Sequence, residues 1–362
     1  MTTAPSTDLS NYFNQFTGSR LIPDGITDWD TSSVTNMEQM FFWAETFNQD
    51  IGDWDIGNVA NMKSAFASAK AFNQDIGRWN TSSVEDMSAM FSGAESFNQD
   101  IGGWDTSRVT NMSNVFSGAR AFNQDISGWD TSNVTKMSGT FSNAWAFNQD
   151  IGNWDVGHVT SIGNMFKGTR AFNQDIGGWD TSNMHDMFGV FFNAQVFNQD
   201  IGDWDTGDVE SMSFMFQGAK AFDQDIGTWN TSNVVSMSYM FRDAAVFNQD
   251  LSNWDTAKVT STFEMFRNAL AFDQDLGAWD ISSVRSMIRM FDGSGMSTEN
   301  FDATLEGWAR LDPGEARIPT GIYLGAEGLT YSKVQAFQKL TETYDWTIDG
   351  ATLEVDPDDV ID

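Results

Sequence analysis

The sequence predicts an α/β repeat solenoid in which every coil holds a short helix and a short parallel strand. Three observations carry that prediction. Trp recurs at positions 29, 54, 79, 104, 129, 154, 179, 204, 229, 254 and 279, always 25 residues apart. Stacked coils demand such a register, because one extra residue would push a side chain out of its ladder. Within the unit Asp28 to Gly52, Val34, Met37, Met40, Phe41 and Ala44 follow one another at steps of 3, 3, 1 and 3, a helical spacing. The segment FNQDIG then returns with Gln and Asp unchanged in ten copies, from Gln49-Asp50 to Gln274-Asp275, and reads as the strand.

Each element has a local reason. Thr31 and Ser32 offer side-chain oxygens to the free amides of a helix start, and Gly93, Gly118, Gly168 and Gly218 offer a left-handed stop. The Phe column from Phe41 to Phe291 is unbroken in eleven copies, and Met fills the Met37 position in nine of eleven. Apolar ladders of this kind are expected to form the core. The Trp column could grip sugar rings if exposed, but a position never substituted is better explained by packing between coils. Thr262, Phe263, Met184 and Ile162 depart from the pattern and are read as repacking of that core.

The expected organisation is an N-terminal cap over residues 1–27, coils over 28–295, a C-terminal capping module over 296–350 and an acidic tail over 351–362. Tyr12 and Phe13 are candidates to cover the first coil. Phe301 and Trp308 keep the seven-residue Phe-to-Trp spacing after a four-residue insertion. Beyond them, 332–343 reads as a helix and 346–348 as a short strand.

Composition excludes several functions. The 51 acidic and 19 basic residues give a formal charge of −32, which repels nucleic acid and anionic membranes and favours cations or basic partner surfaces. No window is apolar enough for a membrane span. With no Cys and only His158 and His185, thiolate or imidazole zinc sites and His-dependent triads lack raw material. Paired carboxylates recur in every coil, whereas glycosidase chemistry needs one asymmetric pair. No enzymatic activity is expected. The opening MTTAPSTDLSNYF has neither the basic nor the apolar region of a secretion leader, which fits an intracellular chain or a mature fragment.

The Asp of FNQDIG poses an electrostatic problem. Asp50, Asp75, Asp100, Asp125, Asp150, Asp175, Asp200, Asp225, Asp250 and Asp275, stacked at about 4.8 Å, would repel by about 1–3 kcal/mol per neighbour. Either each accepts turn amides beside ladders of Asn48 and Gln49 equivalents, or calcium bridges successive coils. The spacing matches no EF-hand loop or glycine-rich calcium repeat. A second acidic column, from Asp30 to Asp280, tolerates Asn80 and Asn230 and suits capping. The Thr column beginning at Thr31 could order water against ice, but Ile56, Val156 and Ile281 interrupt it.

What differs between coils is a variable set, and it marks the faces where a partner would be read. Arg108, His158, Asp208 and Lys258 share one column; Glu85, His185, Glu210 and Arg285 share another.

The stretch VTNMSNVFSGARAFNQDI, beginning at Val109, resembles the repeats of bacterial BspA-like leucine-rich-repeat surface proteins, in their 25- to 26-residue branch. The likeness spans roughly 26–350. It implies right-handed, leucine-rich-repeat-like coils, a secreted or cell-surface location, and adhesion or recognition of a protein or cell-surface ligand, with self-association left open. It brings no catalytic residues. The alternative is a structural or surface-layer protein organised by divalent cations.

Overall fold

The computed structural model describes residues 2–3, 6–13 and 25–354. The chain divides into two compact units, Met1–Asn183 and Met184–Asp362, each built from stacked 25-residue coils.

The coils are made of turns. Among the described residues from 31 to 297 there is neither an α-helix nor a regular strand, so the expected helix over Val34–Ala44 and strand over FNQDIG are both corrected. The backbone amides show why. In the first coil Met40, Phe42 and Ala44 donate three residues back, to Met37, Gln39 and Phe41. The alternate amides of Met37, Gln39, Phe41 and Trp43 donate instead to Asn61, Lys63, Ala65 and Ala67 of the next coil, at 2.8–2.9 Å. A helix would spend all of these amides internally. A stacked coil spends every second one on its neighbour, and satisfies the buried backbone all the same.

Turns closed at three residues fit this alternation when their third residue is left-handed. Two such residues occur in every coil of unit 1: 39 and 43, 64 and 68, 89 and 93, 114 and 118, 139 and 143, 164 and 168. Unit 2 repeats the pair from 189 and 193 to 289 and 293. Gly93, Gly118, Gly168 and Gly218 are left-handed as expected, but they close turns and end no helix. Parallel pairing does occur, at the Asn36 column and not at FNQDIG. Single bridges run Asn36, Asn61, Asp86, Asn111, Lys136 in unit 1 and Asp186, Ser211, Ser236, Ser261, Ser286 in unit 2.

Three aromatic columns fill the core. Phe116 stacks on Phe122 of its own coil at 3.9 Å between ring centroids, and on Phe91 and Phe141 of the adjacent coils at 5.8 Å each. Trp104 and Trp129 stack at 6.3 Å. From Trp54 onward the repeat Trp rings are buried, so they are not a sugar platform. Each indole N–H needs a partner at such depth. Trp104 donates to the Ile76 carbonyl of the preceding coil at 3.1 Å and Trp254 to Ile226 at 3.0 Å.

At the N-terminal end of unit 1, Leu9 and Phe13 are buried, and Phe13 stacks on Phe41 at 5.4 Å. The two-residue strands β1 (Thr2–Thr3) and β2 (Trp29–Asp30) pair in parallel. Residues 14–24 of the expected cap and 355–362 of the expected tail lie outside the described residues.

At the C-terminal end of unit 2, helix α1 (Thr298–Trp308) replaces the turns. Ser297 caps it by accepting the Asn300 amide at 3.3 Å. Trp308 keeps the ladder's chemistry across the four-residue insertion, donating to the Leu276 carbonyl at 3.0 Å. Next come β3 (Tyr323–Gly325), β4 (Thr330–Tyr331), α2 (Val334–Gln338), a π-turn over Lys339–Thr343, β5 (Thr347–Asp349) and β6 (Thr352–Leu353). The helix and strand expected at 332–343 and 346–348 are therefore present. Strand β3 pairs with β5 and β4 with β6, both in parallel, so residues 352–353 are part of the closing module and not of a tail. No helix among the described residues is long and apolar enough to cross a membrane.

Candidate recognition surface

The invariant polar columns are occupied by the fold itself. In the FNQDIG column, Oδ1 of Asp50, Asp75, Asp100, Asp150, Asp175 and Asp200 accepts the amide of the Gly two residues on, at 2.9–3.0 Å. Asp125 and Asp250 accept from Ser127 and Ser252, and Asp225 and Asp275 from Gly227 and Gly277. Beside them runs the amide ladder: Asn98 Oδ1 accepts the Asn123 amide at 2.9 Å while Gln124 donates to the Asn98 carbonyl at 3.1 Å. The Asn position only has to accept, so Asp223 and Asp273 replace it in unit 2 with the same bonds. Ser297 and Asn300 of the closing module then take the donor roles, both bonding Asp273.

This turn chemistry makes a discriminating expectation. Asp100→Asn keeps an Oδ1 acceptor and is expected to leave the melting temperature nearly unchanged, whereas Asp100→Ala loses about 1 kcal/mol. A chelator is expected to shift neither variant nor the parent chain. A calcium ladder would instead respond strongly to both Asn and chelator, and a thermal melt with and without EDTA reads the difference.

The Thr column is buried, and the hydroxyls of Thr31, Thr81, Thr106, Thr206, Thr231 and Thr256 are spent between coils, while that of Thr131 has no partner among the described residues. Thr31 donates to the Asp55 carbonyl, Thr81 to Asp105 and Thr256 to Asp280, all at 2.9–3.0 Å. It neither caps a helix nor presents a hydroxyl surface that could order ice. The turn at this point is held by the second acidic column: Asp105 Oδ1 accepts both the hydroxyl and the amide of Ser107, at 2.6 and 3.0 Å.

Those bonds hold Asp30, Asp105, Asp130 and Asp180 below the ordinary carboxylate value of 3.8, with the Ser hydroxyl the main cause and the Ser amide second. A depressed folded pKa gives stability that is fully present above the unfolded value and lost as pH falls through the folded one. The contribution is therefore complete above about pH 5 and is lost progressively as pH falls below 3.8 and through the folded value. Replacing Ser107, Ser132 and Ser182 by Ala together is expected to lower stability at pH 6 and to make its loss on acidification shallower. Urea midpoints across pH 2–6 measure both.

The variable columns behave differently. Four positions of the first column are structural: Asn58, Asn133, Asn183 and Asn233 donate to carbonyls of the preceding coil, at 2.7–2.8 Å. The charged ones project. Arg108, His158, Asp208 and Lys258 are exposed, as are Glu85, His185, Glu210 and Arg285. In unit 1, Arg108 pairs with Glu85 at 2.7 Å. In unit 2, His185, Asp208, Glu210 and Lys258 line one shallow cleft with Asn233 and Val235, and Lys258 donates to Asn233 at 2.7 Å. The two columns thus run side by side, and half of the predicted recognition residues share one concavity.

Another exposed column forms a charge ladder in unit 1. Lys70 pairs with Glu45 and Arg120 with Glu95, both at 2.9 Å. Trp145 then lies between the guanidinium groups of Arg120 and Arg170, at 4.3 and 3.7 Å from its ring centroid, a cation–π sandwich.

One of the four departures expected in the core lies outside it. Thr262, Met184 and Ile162 are buried, but Phe263 sits on the outer face. There it joins Phe188, Phe214 and Tyr239, in two columns that hold no aromatic residue before Phe188. Phe214 and Tyr239 occupy left-handed positions, each with φ of 63°, at a cost of about 1–2 kcal/mol apiece for a side chain other than Gly. The signal was legible in the sequence as a run of aromatics entering columns 38 and 39 of the repeat from Phe188 onward.

Three tandem stretches, residues 7–124, 99–202 and 186–308, match the model of a family described as Mycoplasma protein of unknown function, DUF285. No curated protein matches the chain.

Proposed function

Because the chain belongs to that Mycoplasma family of unknown function, DUF285, whose repeat it carries in tandem, we propose from its geometry that it is a non-enzymatic scaffold for recognition. It would read a protein or cell-surface ligand through the variable columns of its coils. The observation that carries this reading is the division of labour within the repeat. Unvaried side chains are buried or bonded within a coil or to its neighbour, while exposed variable columns carry unlike charges that meet in the cleft of His185, Asp208, Glu210 and Lys258. A repeat array supplies an extended, regular surface suited to this use.

The likeness to BspA-like leucine-rich-repeat surface proteins supports an extracellular or cell-surface setting and adhesion as the use of that surface. Right-handed coiling belongs to the same proposal. So does the absence of nucleic-acid partners, which the charge of −32 favours.

The test is attachment of the labelled full chain to arrayed extracellular-matrix proteins and glycans. Asp208→Lys, Glu210→Lys and Lys258→Glu combined are expected to abolish specific attachment, a loss of tenfold or more in affinity, with the melting temperature unchanged. Attachment that survives these reversals and fails only on unfolding would sink the reading.

A further inference from the structure

Unit 2 carries an aromatic strip that its own repeat does not need. Phe188 stacks against Phe214 at 5.1 Å, Phe214 on Tyr239 at 4.4 Å, and Tyr239 against Phe263 at 5.1 Å. Phe188 is 38% exposed and Ile288, in the same column, also 38%. The columns that hold these rings carry no aromatic residue in unit 1, where Glu38, Lys63, Ser88, Ser113, Gln39 and Ala89 stand instead, so the turn does not require a ring. Phe214 and Tyr239 are moreover held at left-handed φ, where Asn or Gly would be relaxed. Every coil has a left-handed residue at that column, so it is the row of rings, exposed at Phe188 and half-buried at Phe214, Tyr239 and Phe263, that points to a use outside the fold.

The charges on the strip are arranged unlike those on the rest of this acidic chain. Glu264 is buried, and Arg242, Arg267 and Arg289 gather on its carboxylate at 2.7, 3.1 and 3.7 Å. The acid faces inward and the guanidinium groups outward, with Arg289 54% exposed. Arg242 lies 5.7 Å from the centroid of the Tyr239 ring and also touches Asp243, which is 41% exposed. The order along the strip is therefore aromatic, then an Arg–Asp pair, then aromatic and Arg.

We propose that this strip pairs with the same strip of a second copy of the chain, antiparallel and centred on Tyr239. A two-fold contact sets a patch against itself, and this sequence of groups is self-complementary. Phe214 faces Phe263 of the other copy, Arg289 comes over Phe188 as a cation–π pair, and Arg242 meets Asp243. A chain of charge −32 repels its own copies, so association needs a face where acid does not meet acid. The strip provides it. The residues are distinct from those of the recognition cleft, so either proposal can fail without the other.

Sedimentation equilibrium of the full chain tests it. The parent is expected to form a dimer that tightens as salt is raised, because screening relieves the net repulsion. The combined variant Phe188→Ser, Phe214→Asn, Tyr239→Asn borrows residues found in the same columns of other coils. It is expected to weaken the dimer at least about 100-fold, while its melting temperature stays equal or rises as the left-handed positions relax. The control Lys258→Glu, in the cleft, is expected to remain dimeric. A parent monomeric at every concentration and salt overturns the proposal, as does a triple variant that still dimerises. Loss of the dimer only together with a lowered melting temperature overturns it as well.

Discussion

Phe116→Ala is expected to destabilise the protein by about 3–5 kcal/mol, the range for emptying a fully buried Phe site. The ring is completely buried. It touches four other aromatic rings: Phe122 in its own coil, Phe91 and Phe141 on either side, and Trp129 at 5.9 Å. The ladder leaves little room for collapse, because each neighbouring ring is held in register by its own coil and by amides donated to the next. The Phe116 amide itself donates to the Thr140 carbonyl at 2.9 Å, so the backbone stays in place while the side-chain space empties. Urea unfolding followed by Trp fluorescence measures the loss. Lys136→Ala, at an exposed position, should stay within about 0.5 kcal/mol. A Phe116→Ala effect as small as that would mean that the coils are not held together by their aromatic columns.

Gly307→Ala in helix α1 is expected to act against helix propensity. In an isolated helix the change would stabilise by about 1 kcal/mol. Here a Cβ at position 307 would overlap the oxygen, Cα and carbonyl carbon of Gly277. Both sides of that contact are backbone, so no side chain can swing away, and the helix must lift off the last coil. That displaces Trp308 from the Leu276 carbonyl and Thr304 from the Leu276 amide, bonds of 3.0 Å each. The net expected loss is about 2 kcal/mol or more, with red-shifted Trp emission and earlier proteolytic cleavage near residue 310. Stabilisation would instead mean that α1 is not seated on the coil.

The same two sites show where sequence reading succeeded and where it stopped. Phe116 was placed in the core by its column alone, and Trp308 was tied to the ladder by its spacing from Phe301. The contact between Gly307 and Gly277 left no such mark, because it pairs positions 30 residues apart across the array's end, where the period is broken. In the recognition columns the sequence singled out Asp208, Glu210, His185 and Lys258 by their variation. Only the structure showed that they share a cleft, while Asn133 and Asn233, equally variable by column, are bound to the backbone.

The repeat period by itself determined which side chains are buried. Stacking repeats every contact at a fixed offset, so an unvaried apolar column is a packed column whatever backbone carries it. The sequence also determined that FNQDIG is a polar ladder, since its Asn, Gln and Asp recur in fixed register. What only the tertiary structure decided is the path of the chain between these columns. Steps of 3, 3, 1 and 3 suit a helix and a run of three-residue turns equally well over 11 residues. The choice rests on where each amide finds its acceptor. A neighbouring coil close enough to take alternate amides makes turns the better solution, even where Gln39, Ala89 or Arg289 must hold a left-handed position, and that neighbour exists only once the coils have stacked.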